Sequence, residues 1–561
     1  MKKEDKARLR YVHVIFLFFF FALFLRIVYL QVFRKDFLRN LSENQYYRLI
    51  PLEGKRGKIL DRRGRTLATS LNCYSIFADP HLLKSSSETA RLLSAELGID
   101  TDVLVKKFAK KGRFVWLKRK VDLKVKNRVK ALNLRGIGFL KEKKRFYPQE
   151  ELAAAVLGIV DTDNNGLEGL ELQYNTYLRG KEGWARLLHD SASREVILSP
   201  HIISPQSGGD LALTIDAQIQ YWCETYLKET IIDFRAEAGS VIVVDASNGD
   251  VLALSNYPTF NPNQRETITK DNLRNRAVSD VFEPGSVFKI VTLLAAIDRE
   301  SFKDDDVIFC ENGEMKIPGS TLHDWKPYGD LTFREVFKKS SNIGIGKIAN
   351  RVGMDDLYDY IEKLGFGKKT GIDFPGEVKG LLKPLSRWSK TSAYIIPIGQ
   401  EIGTNLVQLS RAFAVIANGG YLIRPRITQN ISFLASNKKI LIDRIRVVPA
   451  SVAEHARSVL IEVVEDGTGK RAKINNVTIG GKTGTAQKYD PEIGRYSHNK
   501  YRASFVGFIM LDSPLVMAVT IDEPKKHHFG GVIAAPLFRK IAEKTVKYLS
   551  GEKTLIYEDQ L

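Results

Sequence analysis

"FEPGSVFKIVTLLAAI" occupies Phe282 to Ile297. Pro284-Gly285 is a turn signal, and the run after it reads as a helix that is apolar on every side. Ser286 opens that helix, where the first N–H groups lack intrahelical partners. A serine there either caps the helix or acts as a nucleophile, and the stretch alone leaves both open. Lys289 is the anomaly. It lies over the same face as Ser286, among Val287, Phe288, Ile290, Val291, Leu293 and Leu294. Burial disfavours an ammonium and lowers a lysine's pKa. A neutral amine beside a hydroxyl is a general base beside a nucleophile, and a helix N-terminus favours negative charge forming nearby.

The flanking segments define the domain around this helix. "SVIVVDASNGDVLALS" (Ser240 to Ser255) gives two apolar strands about an Asn-Gly turn, a strong hairpin signal. Helical patterns fill roughly Asp280 to Gly420. Strand-like runs return in "VTIGGKTGTAQ", "RASFVGFIM" and "PLVMAVTIDEP", and an amphipathic helix is predicted from Ala535 to Leu549. Strands, helices, strands and a last helix imply an α+β or αβα domain. Two further elements bear on chemistry. "KKSSNIGIG" (Lys338 to Gly346) supplies Ser340, Ser341 and Asn342, which alone read as ordinary helix caps. "GGKTGTA" (Gly480 to Ala486) sets Lys482, Thr483 and Thr485 among glycines; a cation and hydroxyls suit a carboxylate, and Gly480, Gly481 and Gly484 allow close approach.

The first half differs. A chain of 561 residues exceeds one core, so several domains are expected. "YVHVIFLFFFFALFLRIVYLQVF" (Tyr11 to Phe33) is long enough to cross a hydrocarbon layer of roughly 30 Å. Lys2, Lys3, Lys6, Arg8 and Arg10 precede it, which argues for a cytoplasmic N-terminus. Leu30 to Arg39 offers no small-residue cleavage site, so a retained anchor is favoured over a signal peptide. Arg26 reads as a snorkelling cation. "ENQYYRLIPLEGKRGKILDRRGRTLATS" suggests short strands, Glu88 to Lys110 a helical pattern, and "FVWLKRKVDLKV" alternation. The loop holding Asp161, Asp163, Asn164, Asn165 and Gly166 has Leu172 where a calcium loop needs its glutamate, so it reads as a turn. "SPQSGGD" (Ser204 to Asp210) reads as a linker.

The formal charge is +20, and Lys106 to Arg145 holds seventeen Lys or Arg against Asp122 and Glu142. A nucleic-acid surface is one reading of such a block, but the extracytoplasmic placement disfavours it and leaves a solvated or partner-facing face, or contact with an anionic envelope polymer. Cys73, Cys223 and Cys310 form no CxxC, and their odd number gives no disulfide framework. They read as buried apolar residues. The nine histidines show no metal-ligand spacing, and His527-His528 reads as a polar loop.

Ser286-Val-Phe-Lys289, Ser340-Ser-Asn342 and Lys482-Thr-Gly484 occur in the order that marks penicillin-recognising serine enzymes. With "RGKILDRRGRTLA", "RFYP", "GLEGLE" and "FGGVIAAPLF", the chain resembles a class B penicillin-binding protein over nearly its whole length. Glu283-Pro-Gly-Ser, Gly166 to Glu171 and Ala503 to Gly507 resemble the division-specific (FtsI-type) branch. Two features depart from the family: Ile290 replaces a common proline, and "IGQEIGTNLVQLS" lacks the usual Val-Thr-Pro. The resemblance implies a central antiparallel sheet flanked by helices, an elongated β-rich pedestal and one transmembrane helix. The implied boundaries are 1–10 cytoplasmic tail, 11–33 anchor, 34–210 pedestal (dimerisation-like), 211–551 transpeptidase and 552–561 C-terminal tail.

The resemblance also implies roles. Ser286 attacks the penultimate D-Ala carbonyl of a D-Ala-D-Ala stem, Lys289 takes its proton, and Ser340 relays a proton to the leaving D-Ala and is reset by Lys482. Asn342 holds the substrate amide and orients Lys289. Lys482, Thr483 and Thr485 bind the terminal carboxylate across Gly484, and the N–H groups of Ser286 and Thr485 form an oxyanion hole. No metal or cofactor is required. β-Lactams acylate Ser286, and the implied partners are an FtsW-like SEDS glycosyltransferase and other divisome membrane proteins. The segment Arg56 to Gly64 is implied to pack under the catalytic domain. An elongation-branch transpeptidase is the main alternative. A β-lactam sensor would require more signalling segments, and a β-lactamase would need no pedestal.

Overall fold

The computed structural model describes residues 3–38, 47–52, 54–110, 112, 114–189, 195–196, 203–429, 444–490 and 494–551. The proposed C-terminal tail 552–561 lies outside them. The chain divides into two compact units, Met1–Lys55 with Gly180–Gly208, and Arg56–Arg179 with Gly209–Leu561.

The first unit contains helix α1 (Lys3–Val28), which passes into a π-helical turn at Tyr29–Phe33. Its apolar run Tyr11–Phe33 is wholly unburied, with mean hydropathy 2.4. It fits a single-pass membrane anchor. The unit also has a three-stranded antiparallel sheet from Tyr47–Leu52, Gly183–His189 and Glu195–Val196.

The second unit begins with a sheet of β1 (Ile59–Leu60), β2 (Thr66–Ala78), β3 (Val115–Val121), β4 (Ile137–Phe146) and β5 (Leu211–Ala212). β2 pairs with β1, β3 and β4, and β5 runs parallel to β1. Helices α2 (Ser86–Leu97), α3 (Thr101–Phe108) and α4 (Leu123–Ala131) bury Leu93, Leu104 and Val129 against Ile76 and Leu117. The helical pattern from Glu88 to Lys110 is therefore two helices, the second capped by Asp100. The alternation in "FVWLKRKVDLKV" ends earlier than predicted. Asp122 accepts the Val125 N–H at 2.8 Å and starts α4, so the capping carboxylate outweighs the period-two pattern.

The Asp161 loop is a turn, as its missing glutamate implied: Asp161 Oδ1 accepts from the N–H groups of Asp163 (2.7 Å) and Asn165 (2.8 Å). "SPQSGGD" is no free tether, because Gly208 N donates to Lys55 O and Gly209 N to Tyr177 O. The basic block is not one solvated face either. Arg145 is buried against Glu171, Arg119 joins Glu142 and Asp163, Arg128 meets Glu96, and Lys107 and Lys118 donate to backbone carbonyls. Cys73, Cys223 and Cys310 are buried.

The rest of the unit is built on a five-stranded antiparallel sheet of β6 (Ala238–Asp245), β7 (Val251–Tyr257), β8 (Ile479–Asp490), β9 (Arg495–Ile509) and β10 (Leu515–Asp522), in the order β7-β6-β10-β9-β8. Val241 and Val243 of β6 pack with α5 (Ala217–Phe234) and α11 (Gly530–Leu549). Ile242 and Val244 point into the helical layer on the opposite face. Both faces are covered, which is why the strand reads as an unbroken apolar run. That second layer contains α6 (Ile290–Asp298), α7 (Phe333–Lys339), α8 (Asn342–Val352), α9 (Leu406–Ala417) and α10 (Ala450–Asp466). The architecture is αβα, with four short strands between Val307 and Thr332 inside the stretch expected to be helical. α11 starts at Gly530 rather than Ala535 and carries Pro536 inside it.

Candidate active site

Ser286 sits half-buried in a tight 3-10 turn, Gly285–Lys289, that leads into α6. The turn is pinned from behind by Gly399, whose carbonyl accepts the Gly285 N–H at 3.1 Å. A Cβ on Gly399 would lie 2.1 Å from the Gly285 oxygen, and its φ is +84°. Only glycine meets both conditions.

Lys289 is fully buried. Its Nζ donates to Ser340 O (2.8 Å), Asn342 Oδ1 (2.8 Å) and Ser340 Oγ (3.2 Å). Burial lowers its pKa to about 7, against the opposing pull of the Asp324 carboxylate. Lys482, also fully buried on β8, donates to Ser340 Oγ at 2.8 Å. Burial, and then its neighbour Lys289, push its pKa well below the ordinary lysine value. Ser340 itself holds a left-handed backbone, φ 60°, at the end of α7. Such strain in a non-glycine residue costs on the order of 1–3 kcal/mol and gathers at functional sites. With both amines donating to it, Ser340 Oγ has its lone pairs engaged and its own proton free to pass outward.

The Ser340-Ser-Asn342 turn is fastened by a residue that sequence reasoning missed. Asp324 accepts from Ser341 Oγ (2.6 Å), from Asn342 N and from Ile343 N (3.1 Å) at the start of α8. Asn342 Nδ2 donates to His323 O at 2.8 Å, which leaves Asn342 Oδ1 facing Lys289. No local signal marks Asp324, since its partners come from a distant turn.

β8 is the sheet edge beside the serine's turn. A Cβ on Gly484 would come within 2.8 Å of Val287 Cγ2 and 3.0 Å of Pro284 O, so glycine lets the strand approach the nucleophile's turn. Thr483 and Thr485 share the strand face opposite to Lys482 and Gly484. Thr483 Oγ1 donates to Thr468 Oγ1 at 3.0 Å, and Thr485 Oγ1 accepts from Gly530 N at 3.0 Å. Thr468 was also missed. The structure thus joins Lys289, Ser340, Asn342 and Lys482 in one hydrogen-bonded cluster, with Gly484 against the Ser286 turn. Ser286 Oγ makes no hydrogen bond among the described residues, and the two threonine hydroxyls are held by neighbours of β8.

We expect Gly484→Ala to slow acylation by labelled penicillin at least about tenfold, because an added methyl in a packed contact shifts its neighbours. A wild-type rate would show that the strand has room to spare.

Residues 239–543 match the penicillin binding protein transpeptidase domain and residues 51–213 the penicillin-binding protein dimerisation domain. The chain is 36% identical over 558 residues to the probable peptidoglycan D,D-transpeptidase PenA of Neisseria gonorrhoeae, covering 98% of this chain and 94% of that protein. It is 31% identical over 537 residues to the peptidoglycan D,D-transpeptidase FtsI of Escherichia coli K12, covering 94% and 89%. Penicillin-binding protein 3 of Mycobacterium tuberculosis, solved in complex with aztreonam, is similar with a TM-score of 0.68 at 29% identity, over 90% of this chain and 98% of that one. A dimerisation domain ahead of a transpeptidase domain, and a serine–lysine cluster at the edge of its sheet, make this chain a member of the class B penicillin-binding proteins.

Proposed function

We propose that the chain cross-links peptidoglycan stem peptides at the division septum, as a serine D,D-transpeptidase that β-lactams acylate. The observation that carries this reading is the Ser340 hydroxyl held between the buried amines of Lys289 and Lys482. In this reading neutral Lys289 takes the Ser286 proton as Oγ attacks the penultimate D-Ala carbonyl. Ser340 gives its proton to the departing D-Ala nitrogen and is reprotonated from Lys482. The C–N bond breaks, an ester forms on Ser286, and the amine of a second stem displaces the serine to form the cross-link. Asn342 holds the donor amide. The terminal carboxylate restores the ammonium of Lys482 and draws the Thr483 and Thr485 hydroxyls from their present partners. The N–H groups of Ser286 and Thr485 stabilise the oxyanion.

The wider assignment belongs to the same proposal. The pedestal spans 34–210 and the catalytic domain 211–551, with residues 1–10 cytoplasmic and the bulk outside the plasma membrane. An FtsW-like SEDS glycosyltransferase and other divisome proteins are its partners. The FtsI relative supports the septal branch.

Two experiments test it. Full-length protein in detergent, given polymerised glycan with pentapeptide stems, should release D-Ala in step with cross-linked product; D-Ala release without cross-links would identify a hydrolase. A fluorescent fusion should gather at midcell, whereas lateral-wall labelling would favour the elongation branch. The lowered pKa of Lys289 adds a pH prediction. The neutral amine is the active form, so acylation should rise with pH through about 7 and level off above it. A profile flat from pH 5 to 9 would remove Lys289 as the base.

A further inference from the structure

Glu283 lies on the Ser286 turn, yet the transpeptidase chemistry leaves it unused. Its Oε1 accepts the Glu401 N–H at 2.9 Å and the Tyr496 hydroxyl at 2.9 Å. These contacts come from different elements. Glu401 belongs to the loop behind the turn, and Tyr496 to the outer end of the β8–β9 hairpin. There the register between the strands jumps from Gln487↔Tyr501 to Tyr489↔Tyr496, so the hairpin end departs from the regular sheet. The Tyr489 and Tyr496 rings meet edge to face, centroids 6.0 Å apart.

The two flanks of the serine's turn are held differently. The loop behind it is bonded through the backbone, with Phe282 and Thr404 exchanging N–H···O bonds and Gly285 donating to Gly399. The hairpin end reaches the turn through a side chain, Tyr496 on Glu283, with Arg502 lower on β9 stacked over Phe282 at 4.5 Å. We propose that Glu283 is a positioning residue: its carboxylate tethers the hairpin end to the nucleophile's turn and so sets the opening of the cleft along β8. The proposal rests on the reading of Ser286 as nucleophile.

The surroundings suit that task. Glu401 faces Glu283 as a second carboxylate, itself bound by Ser392 Oγ (2.8 Å) and Lys383 (3.4 Å). From the hairpin come Tyr496 and Tyr489, while Lys488 is taken up by Asp522 and Glu523, and Lys500 by Asp490. Burial above all, and then the Glu401 charge, raise the Glu283 pKa against the hydrogen bonds that lower it. A carboxylate of raised proton affinity is a strong acceptor for a phenol, and protonation weakens the tether.

The test uses the full-length protein in detergent and labelled penicillin, separating the apparent dissociation constant from the limiting acylation rate. Glu283→Gln and Tyr496→Phe should each raise the apparent dissociation constant about tenfold, as loss of a charged hydrogen bond warrants, and change the limiting rate less than twofold. The double variant should be no worse than either single one, because both break one contact. Wild type should bind more weakly as pH falls through the titration of Glu283, and Glu283→Gln should lose that dependence. Unchanged binding in folded Tyr496→Phe, additive losses, or a fall confined to the limiting rate would overturn the proposal. A wild-type adduct on a residue other than Ser286 would instead sink the nucleophile reading.

Discussion

Mass spectrometry of the full-length protein after labelled penicillin is expected to find one long-lived adduct, on Ser286, and Ser286→Ala is expected to carry none. Lys289→Ala should keep the same site but slow its acylation by about 10²–10⁴-fold, the usual worth of a positioned general base. The cause is electrostatic. An ordinary lysine of pKa about 10.4 is neutral in fewer than about one molecule in a thousand at pH 7. Burial brings Lys289 to about 7, so about half the molecules hold a neutral amine there. The three hydrogen bonds to the Ser340 carbonyl, the Ser340 hydroxyl and the Asn342 amide oxygen hold Nζ in place. Removing a buried amine that is destabilised when charged should cost little stability, so rate and melting temperature should separate. Equal loss of both would mean that Lys289 is a packing residue. Label on another side chain in wild type would displace Ser286 itself.

The core of the site is legible in the sequence because its oddities are local. A lysine inside an apolar helix contradicts its surroundings within a single turn, and burial of Lys289 follows from Val287, Phe288 and Ile290 alone. The unbroken apolar run of β6 likewise announces a sheet covered on both faces. What the sequence hides depends on partners far along the chain. Asp324 is an unremarkable acid until its turn meets Ser341 and Asn342. Arg145 looks like one cation in a basic run, and only the folded chain reveals that its guanidinium is buried on Glu171. α4 misleads for a different reason. Val121, Leu123 and Val125 alternate well enough for a strand, and the cap at Asp122 decides the matter over two residues.

The buried triad of Arg56, Arg145 and Glu171 carries the largest stability effect predicted for this protein. Its carboxylate accepts from Arg56 Nε at 2.6 Å on one oxygen, and from Arg145 Nε at 2.6 Å and Tyr147 Oη at 3.3 Å on the other. Glu171 is wholly buried, Arg56 is 2% exposed and Arg145 4%. Desolvation is the leading cause of the lowered Arg56 pKa, with the Glu171 charge opposing it. Two guanidiniums thus share one carboxylate, and Arg145 Nη2 already finds no hydrogen-bond partner among the described residues. Glu171→Ala would leave both cations buried without an anion, a loss of about 3–5 kcal/mol by the cost of breaking buried pairs. In a segment of this size the unfolding transition should drop on the order of 10 °C. Replacing the group together, with Glu171→Leu, Arg56→Met and Arg145→Met, should recover much of that loss, because the penalty lies in the stranded charges rather than in the missing attraction. Calorimetry on the full-length protein, with Ser286 labelling followed alongside, separates the outcomes. A shift of less than about a degree in Glu171→Ala would mean that water reaches the arginines. A triple variant as unstable as the single one would mean that their hydrogen bonds to the Asn164 and Gly57 carbonyls hold the segment together.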